Sequence, residues 1–249
     1  MVKEEATEYR AISARLNFMG QDSPDLQFPA KEASREMAKP KRGSWKRIKK
    51  TIRFLVGRQK VVWNYPWQEE VEDVDTFADS DWGGRVGSRF STSGGAMMLG
   101  GHCIKTWGTT QGAIALSSAE AEFYAMIEAV LRAKGLRTLA MELGCPLKGG
   151  CIKLATDNSA AKSFVSRRGF GKMRHLEIKD LWLQKEVGEG KVKVWKIPGD
   201  KNPADLMTKN LKIEEIRSRL LRLGLTIEWR PNKGRREVAV VRRCRCGHL

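Results

Sequence analysis

The chain has no secretory leader pattern at its start and no apolar run approaching the roughly 18 residues that a membrane helix needs. Its hydrophobic stretches are therefore expected to belong to a core, in a soluble intracellular protein with no membrane partner. No period of 20 to 50 residues recurs along its 249 residues, which excludes a solenoid. Cysteine is scarce. Cys103, Cys145, Cys151, Cys244 and Cys246 are odd in number and irregular in spacing, so a disulfide framework is not expected and a reducing compartment is. The end of the chain, "CRCGH", offers Cys244, Cys246 and His248. A structural zinc site wants four ligands at wider spacings, so residues 226–249 are expected to form a basic, disordered tail.

Acidic residues are thin in two places. Residues 31–60 hold 12 Lys or Arg against 2 acidic residues, and residues 230–249 hold 7 against 1, whereas residues 61–229 are close to balance with 24 against 21. The formal charge of +17 thus sits on the flanks. Basic flanks around a near-neutral centre suit a polyanionic partner, which they would bind with release of counterions, or else form a solvated basic face.

The chain divides into three regions. Residues 1–70 read as helical and basic: Tyr9, Ile12, Leu16 and Met19 recur at spacings of three and four before "SPD" interrupts. In "SWKRIKKTIRFLVG", Trp45, Ile48, Ile52 and Leu55 form an apolar stripe opposite five basic residues, with Ser44 as a candidate N-cap and Gly57 as a stop. From Val71 to Leu225 strands and helices alternate. "VDTFADSD", "GGAMMLGG" and "HCIKTWG" read as three strands, and "IALSS" leads into a long helix to about Leu143. "CIKLATDN" is a fourth strand, "SAAKSFVS" and "HLEIKDLWLQKEVGEG" are helices, and "KVKVWKIP" is a fifth strand. A final helix is expected from "NPADLMTKNL" through "EEIRSRLLRLG". This order predicts an α/β domain with a five-stranded mixed sheet flanked by helices, its sites at the carboxyl ends of the strands.

Carboxylates gather at those ends. Asp79 closes the first of these strands, Asp157 closes the fourth, and Asp205 opens the final helix. The long helix adds a choice, because Glu120 and Glu122 point about 200° apart and cannot share one face. Ser117 and Glu120 have the spacing of a capping box, which accounts for Glu120 locally. Glu122 has no such local reason, and a carboxylate beside the small residues Ala119, Ala125 and Ala129 is costly unless paired or metal-bound. Carboxylates converging at one sheet edge repel one another unless cations intervene. Oxygen ligands without a His or Cys set favour Mg²⁺ or Mn²⁺, and paired ions suit phosphodiester hydrolysis. Scattered surface carboxylates are the bland alternative.

In order and spacing, "ADSDWGG", "STSGG", "ALSSAEAEFYA", "ATDNSAAK", "RHLEIKDLWLQKEV" and "PADLMTKNL" resemble the ribonuclease H region of copia-type LTR retrotransposon Pol polyproteins. The preceding helical stretch resembles more weakly the end of a reverse transcriptase segment. The resemblance implies a ribonuclease H-like fold and hydrolysis of the RNA strand of RNA/DNA hybrids by two Mg²⁺ ions (or Mn²⁺). Carried over by motif, Asp79, Glu122, Asp157 and Asp205 are the implied metal-binding and catalytic residues. His175, in "RHLEIK", is implied as an assistant in proton transfer or product release, or else as the start of a helix. Gln111, Ser117 and Asn158 are candidate substrate contacts, and each is equally explicable as a cap or turn residue.

Departures from the family pattern are the glycines in "ADSDWGG" and "TSGG", Phe123 in place of tyrosine, and Asn210 in place of proline. The sequence shows no reverse transcriptase YxDD-type centre and no protease or integrase segment, so a fragment is expected. Its partners would be the remaining Pol segments, in the cytoplasm within a virus-like particle or in the nucleus. Two rivals are an inactive nucleic-acid-binding remnant and a DDE-type integrase relative. The glutamate lying between Asp79 and Asp157 in chain order favours ribonuclease H over the latter.

Overall fold

A computed structural model describes residues 3–84, 89–145, 147–169, 171 and 181–230. Three helices come first: α1 (Lys3–Met19), α2 (Pro24–Ser34) and α3 (Arg42–Gly57). Strand β1 (Arg58–Trp63) follows, then β2 (Val74–Asp81), β3 (Thr92–Leu99) and β4 (His102–Thr110). The long helix α4 (Ser118–Glu142) leads to β5 (Ile152–Thr156), α5 (Ser159–Val165), α6 (Trp182–Gly188) and β6 (Val192–Lys196). A 3-10 turn, Pro203–Met207, precedes α7 (Ile213–Arg222) and β7 (Leu225–Trp229). No described helix is long and apolar enough to cross a membrane.

The main sheet has the order β4-β3-β2-β5-β6. The β2–β3 and β3–β4 pairs are antiparallel hairpin pairs, and the β2–β5 and β5–β6 pairs are parallel, joined by helical crossovers. This is the five-stranded mixed sheet expected from the order of elements, and the ribonuclease H-like arrangement that the resemblance implies. One face packs on α4 through Val74, Ala78, Phe123, Met126, Val130, Ile152, Leu154 and Phe164. Alternation along β2 sends Phe77 and its neighbours to the other face, where Ala96, Met98, Leu206, Met207, Leu220 and Leu225 form a second core. A third, smaller core joins the N-terminal helices through Tyr9, Leu16, Ala30, Ala33 and Ile48.

The structure corrects three expectations. First, α2 forms where "SPD" was taken as an interruption: Pro24 stands at the first helical positions, where its missing N–H costs nothing, after Ser23 in extended conformation. Second, β1 and β7 pair antiparallel, with Val61 opposite Ile227 and Trp63 opposite Leu225. Segment 1–70 is therefore not wholly helical, and residues 226–229, assigned to the disordered tail, lie in a strand. The partners are about 160 positions apart in the chain, so neither advertises the other locally. Third, the final helix does not begin at "NPADLMTKNL". Asn202 caps the turn by accepting from the Ala204 N–H at 3.1 Å, and its amide donates to Ala78 O at 2.9 Å, pinning the turn to β2. Asp205 lies in that turn, and α7 starts only at Ile213.

Two glycines make this docking possible. A Cβ on Gly94 of β3 would come within 2.5 Å of Thr208 Cγ2 and 3.1 Å of Ala204 O, and one on Gly108 of β4 within 2.9 Å of Met207 O. Gly94 stands opposite Asp79 in the β2–β3 register. The "TSGG" stretch, a departure from the family pattern, thus clears the space that lets the turn lie flat on the sheet beside Asp79.

Candidate active site

Parallel pairing of β2 and β5 brings Asp79 and Asp157 to the same end of the sheet, since both follow the paired segment toward its carboxyl end. The docked turn adds Asp205. Asp79, Asp157 and Asp205 each offer an oxygen within 4.8 Å of the other two. Asp79 and Asp205 are buried, and Asp157 is half-buried.

Glu122 stands apart from this trio. It projects from the second turn of α4, and its Oε1 accepts from the Ser80 N–H at 3.1 Å. Its Oε2 is buried with no hydrogen-bond partner among the described residues. The carboxylate still feels the site: burial pushes its pKa up to about 8, reinforced by Asp79 and Asp157. Asp79 is pushed up to about 7 by burial, with Asp205 and Asp157 adding to the shift and Lys209 and Thr208 opposing it. Asp157 is also raised, mainly by burial. Asp79, Glu122 and Asp157 therefore hold protons more tightly than isolated carboxyls do.

Glu120, by contrast, is consumed by the helix start. The Ser117 Oγ accepts from the Glu120 N–H at 3.2 Å, and the Glu120 carboxylate reaches back to accept from the Leu116 N–H at 2.9 Å. This is a capping box displaced by one residue, since the carboxylate grips the residue before the N-cap.

The three candidate substrate contacts all have structural work. Gln111 is buried, and its amide donates to Ser93 Oγ at 3.0 Å and Ala121 O at 2.8 Å. Asn158 caps α5 by accepting from the Ala161 N–H at 2.9 Å, and Ser117 caps α4. Ser117 and Asn158 remain half-buried. His175 lies outside the described residues, as do Cys244, Cys246 and His248.

Three functional residues were missed in the sequence reading. The Lys209 ammonium lies between the trio's members, donating to Asp79 Oδ1 at 3.0 Å and Asp205 Oδ1 at 2.6 Å. The Thr208 hydroxyl donates to Asp79 Oδ2, and Arg219 Nη2 from α7 donates to Asp205 Oδ2 at 3.0 Å. Burial disfavours the charge on Lys209, but Asp79 and Asp205 outweigh it and hold the pKa above its ordinary value. The four-residue interval from Asp205 to Lys209 in "PADLMTKNL" was the available signal, because one turn of helix-like backbone places such residues together. Arg219 carried none.

A mixed five-stranded sheet of this order, with aspartates converging at the carboxyl ends of its central strands, defines a ribonuclease H-like domain. No protein-family profile matches the chain. The retrovirus-related Pol polyprotein from transposon RE2 of Arabidopsis thaliana is 26% identical over 206 residues, covering 82% of this chain and 14% of that polyprotein. Secreted RxLR effector protein 161 of Plasmopara viticola is 32% identical over 123 residues, covering 49% of this chain and 86% of that protein. Among solved structures, RNase H1 from Halobacterium salinarum aligns with a TM-score of 0.39 at 18% identity, over 55% of this chain and 94% of that one. The chain is thus similar in sequence to retrovirus-related Pol polyproteins of copia-type transposons. It spans 14 to 15% of the length of the transposon polyproteins it matches.

Proposed function

We propose that this chain is the ribonuclease H segment of a retrotransposon Pol polyprotein and hydrolyses the RNA strand of RNA/DNA hybrids with two divalent ions, Mg²⁺ or Mn²⁺. The observation that carries the reading is the convergence of Asp79, Asp157 and Asp205 within 4.8 Å, with Glu122 outside the trio but electrostatically coupled to Asp79 and Asp157. The donor set fits hard cations: every candidate ligand atom is a carboxylate oxygen, and no histidine or cysteine joins the group among the described residues. When bound, such ions supply an activated water and neutralise the charge on the leaving oxygen.

The chain's own residues do the rest. Asp79, Asp157 and Asp205 would hold the ions, and Glu122 would complete the set. The buried Thr208 and Arg219 keep Asp79 and Asp205 in fixed rotamers, so the ligands need no rearrangement beyond the release of one donor. Ser117 and Asn158 are the candidate contacts to the hybrid, whose 2′-hydroxyls and groove shape mark the RNA strand. The basic stretch 31–60 would add affinity for the phosphate backbone. The remaining reverse transcriptase and integrase segments of a polyprotein would be its covalent partners.

Cleavage of end-labelled RNA in an RNA/DNA hybrid tests the reading, with the chain compared with Asp157→Asn and Asp79→Asn in Mg²⁺. The substitutions should cost at least about a hundredfold in rate, in line with the several kcal/mol that metal-assisted charge stabilisation contributes. Equal cleavage by the chain and both variants, or none by any of them, overturns it.

A further inference from the structure

Every side-chain oxygen of Asp79 and Asp205 is already engaged by a donor from the chain. Asp79 Oδ2 accepts from Thr208, Asp205 Oδ2 from Arg219, and the two Oδ1 atoms share the ammonium of Lys209. The donors differ in their freedom to leave. Thr208 and Arg219 are buried, with relative exposures of 1% and 7%. The Lys209 side chain is 42% exposed and ends a flexible four-carbon stem. The Lys209 ammonium occupies the position between the two Oδ1 atoms, so a cation that bridges them takes its place.

We infer that Lys209 is an internal counter-cation that exchanges with the divalent ion, holding the carboxylates together in its absence and leaving as it binds. This rests on the metal-binding reading above and goes beyond it by naming what the ion must displace. The ammonium offsets the repulsion that burial and crowding impose on Asp79 and Asp205, so the fold does not depend on metal to form. The arrangement has a cost for the metal: part of its attraction to the carboxylates goes into breaking two charge-assisted hydrogen bonds. Once displaced, the ammonium stays tethered four residues from Asp205 with no carboxylate partner. A phosphate arriving beside the carboxylates offers it one. Metal and a phosphodiester therefore bind cooperatively when Lys209 is present, because each supplies what the other's arrival leaves unpaired.

The test is calorimetric titration of the full chain with Mn²⁺, comparing wild type, Lys209→Met and Lys209→Arg, with Asp79→Asn reporting heat that does not come from this site. Lys209→Met should bind Mn²⁺ about tenfold more tightly, the scale set by loss of a charge-assisted bond. Lys209→Arg, which keeps the charge, should stay near wild type. In EDTA, Lys209→Met should melt below wild type, and saturating Mn²⁺ should reverse that order. A second neutral variant, Lys209→Gln, serves if Lys209→Met does not fold, and it should also bind Mn²⁺ more tightly than wild type. Equal or weaker Mn²⁺ binding by the neutral variant overturns the exchange while leaving the metal site standing. No Mn²⁺ binding by any of these proteins overturns both.

Discussion

Two clusters of buried charge in this molecule are built to opposite balances. In one, Arg58 at the start of β1 faces Asp25 in α2: Nη2 donates to Oδ1 at 2.9 Å and Nε lies 2.8 Å from Oδ2, with both side chains almost wholly buried. One positive group meets one negative group through one hydrogen bond and a second close approach of charged atoms. In the other, the four carboxylates of Asp79, Glu122, Asp157 and Asp205 face, among the described residues, Lys209 and Arg219, with Lys196 acting on Asp157 from β6. The balanced pair needs nothing further and acts as a clamp between the helical layer and the small sheet. The unbalanced cluster retains a surplus of negative charge that only protons or added cations relieve. A buried ion pair is thus the mark of a joint here, and a buried excess of one sign is the mark of a site.

That contrast can be broken at its strongest point first. Replacing Arg58 by methionine leaves Asp25 buried without a counter-charge and should cost about 3–5 kcal/mol of stability, measured by urea unfolding. Replacing both members with apolar groups should recover most of the loss, because the penalty lies in the unpaired charge rather than in the missing pair. A double variant as unstable as the single one would mean that the joint is held by something other than charge balance.

The surplus at the site predicts a pH dependence of known sign. Asp79 and Glu122 have folded-state pKa values raised to about 7 and about 8, above those of the unfolded chain. Between about pH 4 and 8 the folded state therefore binds more protons than the unfolded one, and stability falls as pH rises. In EDTA the unfolding free energy should drop by a few kcal/mol across that window, on the order of what shifts of this kind imply. Saturating Mg²⁺ or Mn²⁺ should flatten the slope, because bound cations replace the protons. A metal-free profile that rises from pH 4 to 8 would contradict the surplus.

The smallest effect separates the two glutamates of α4. Ser117→Ala removes the hydroxyl that accepts from the Glu120 N–H and should cost about 1 kcal/mol, the usual value of an N-cap. It should leave Mn²⁺ affinity unchanged, because Glu120 serves the helix start. Glu122→Gln should do the reverse, weakening Mn²⁺ binding while raising metal-free stability near pH 8 through loss of a crowded negative charge. Calorimetry and thermal melts on both variants would show whether the roles divide in this way.

Much of this architecture was legible locally. The strands around Asp79 and Asp157 and the long helix carrying Glu122 follow from runs of apolar residues broken by glycines and by cap residues, and their order sets the mixed sheet. Three elements escaped. Helix α2 was hidden because a Ser-Pro pair reads equally as a break and as a helix start, and Pro29 within it argues against a helix. The β1–β7 sheet was hidden because its strands find each other across most of the chain. The turn holding Asp205 passed for the first turn of a helix until its docking onto Gly94 and Gly108 was seen.

By itself, then, the sequence determined the carriers: which residue types stand at the ends of which elements, and that Glu120 and Glu122 must serve different faces of one helix. Local geometry suffices there, because strand and helix periods fix direction within a few residues. Only the tertiary structure decided that Lys209, Thr208 and Arg219 occupy the carboxylate oxygens, that Glu122 leans on Ser80 apart from the three aspartates, and that Arg58 clamps α2. These pairings depend on how separate segments dock, and no local rule relates residues that meet only after the chain has closed on itself.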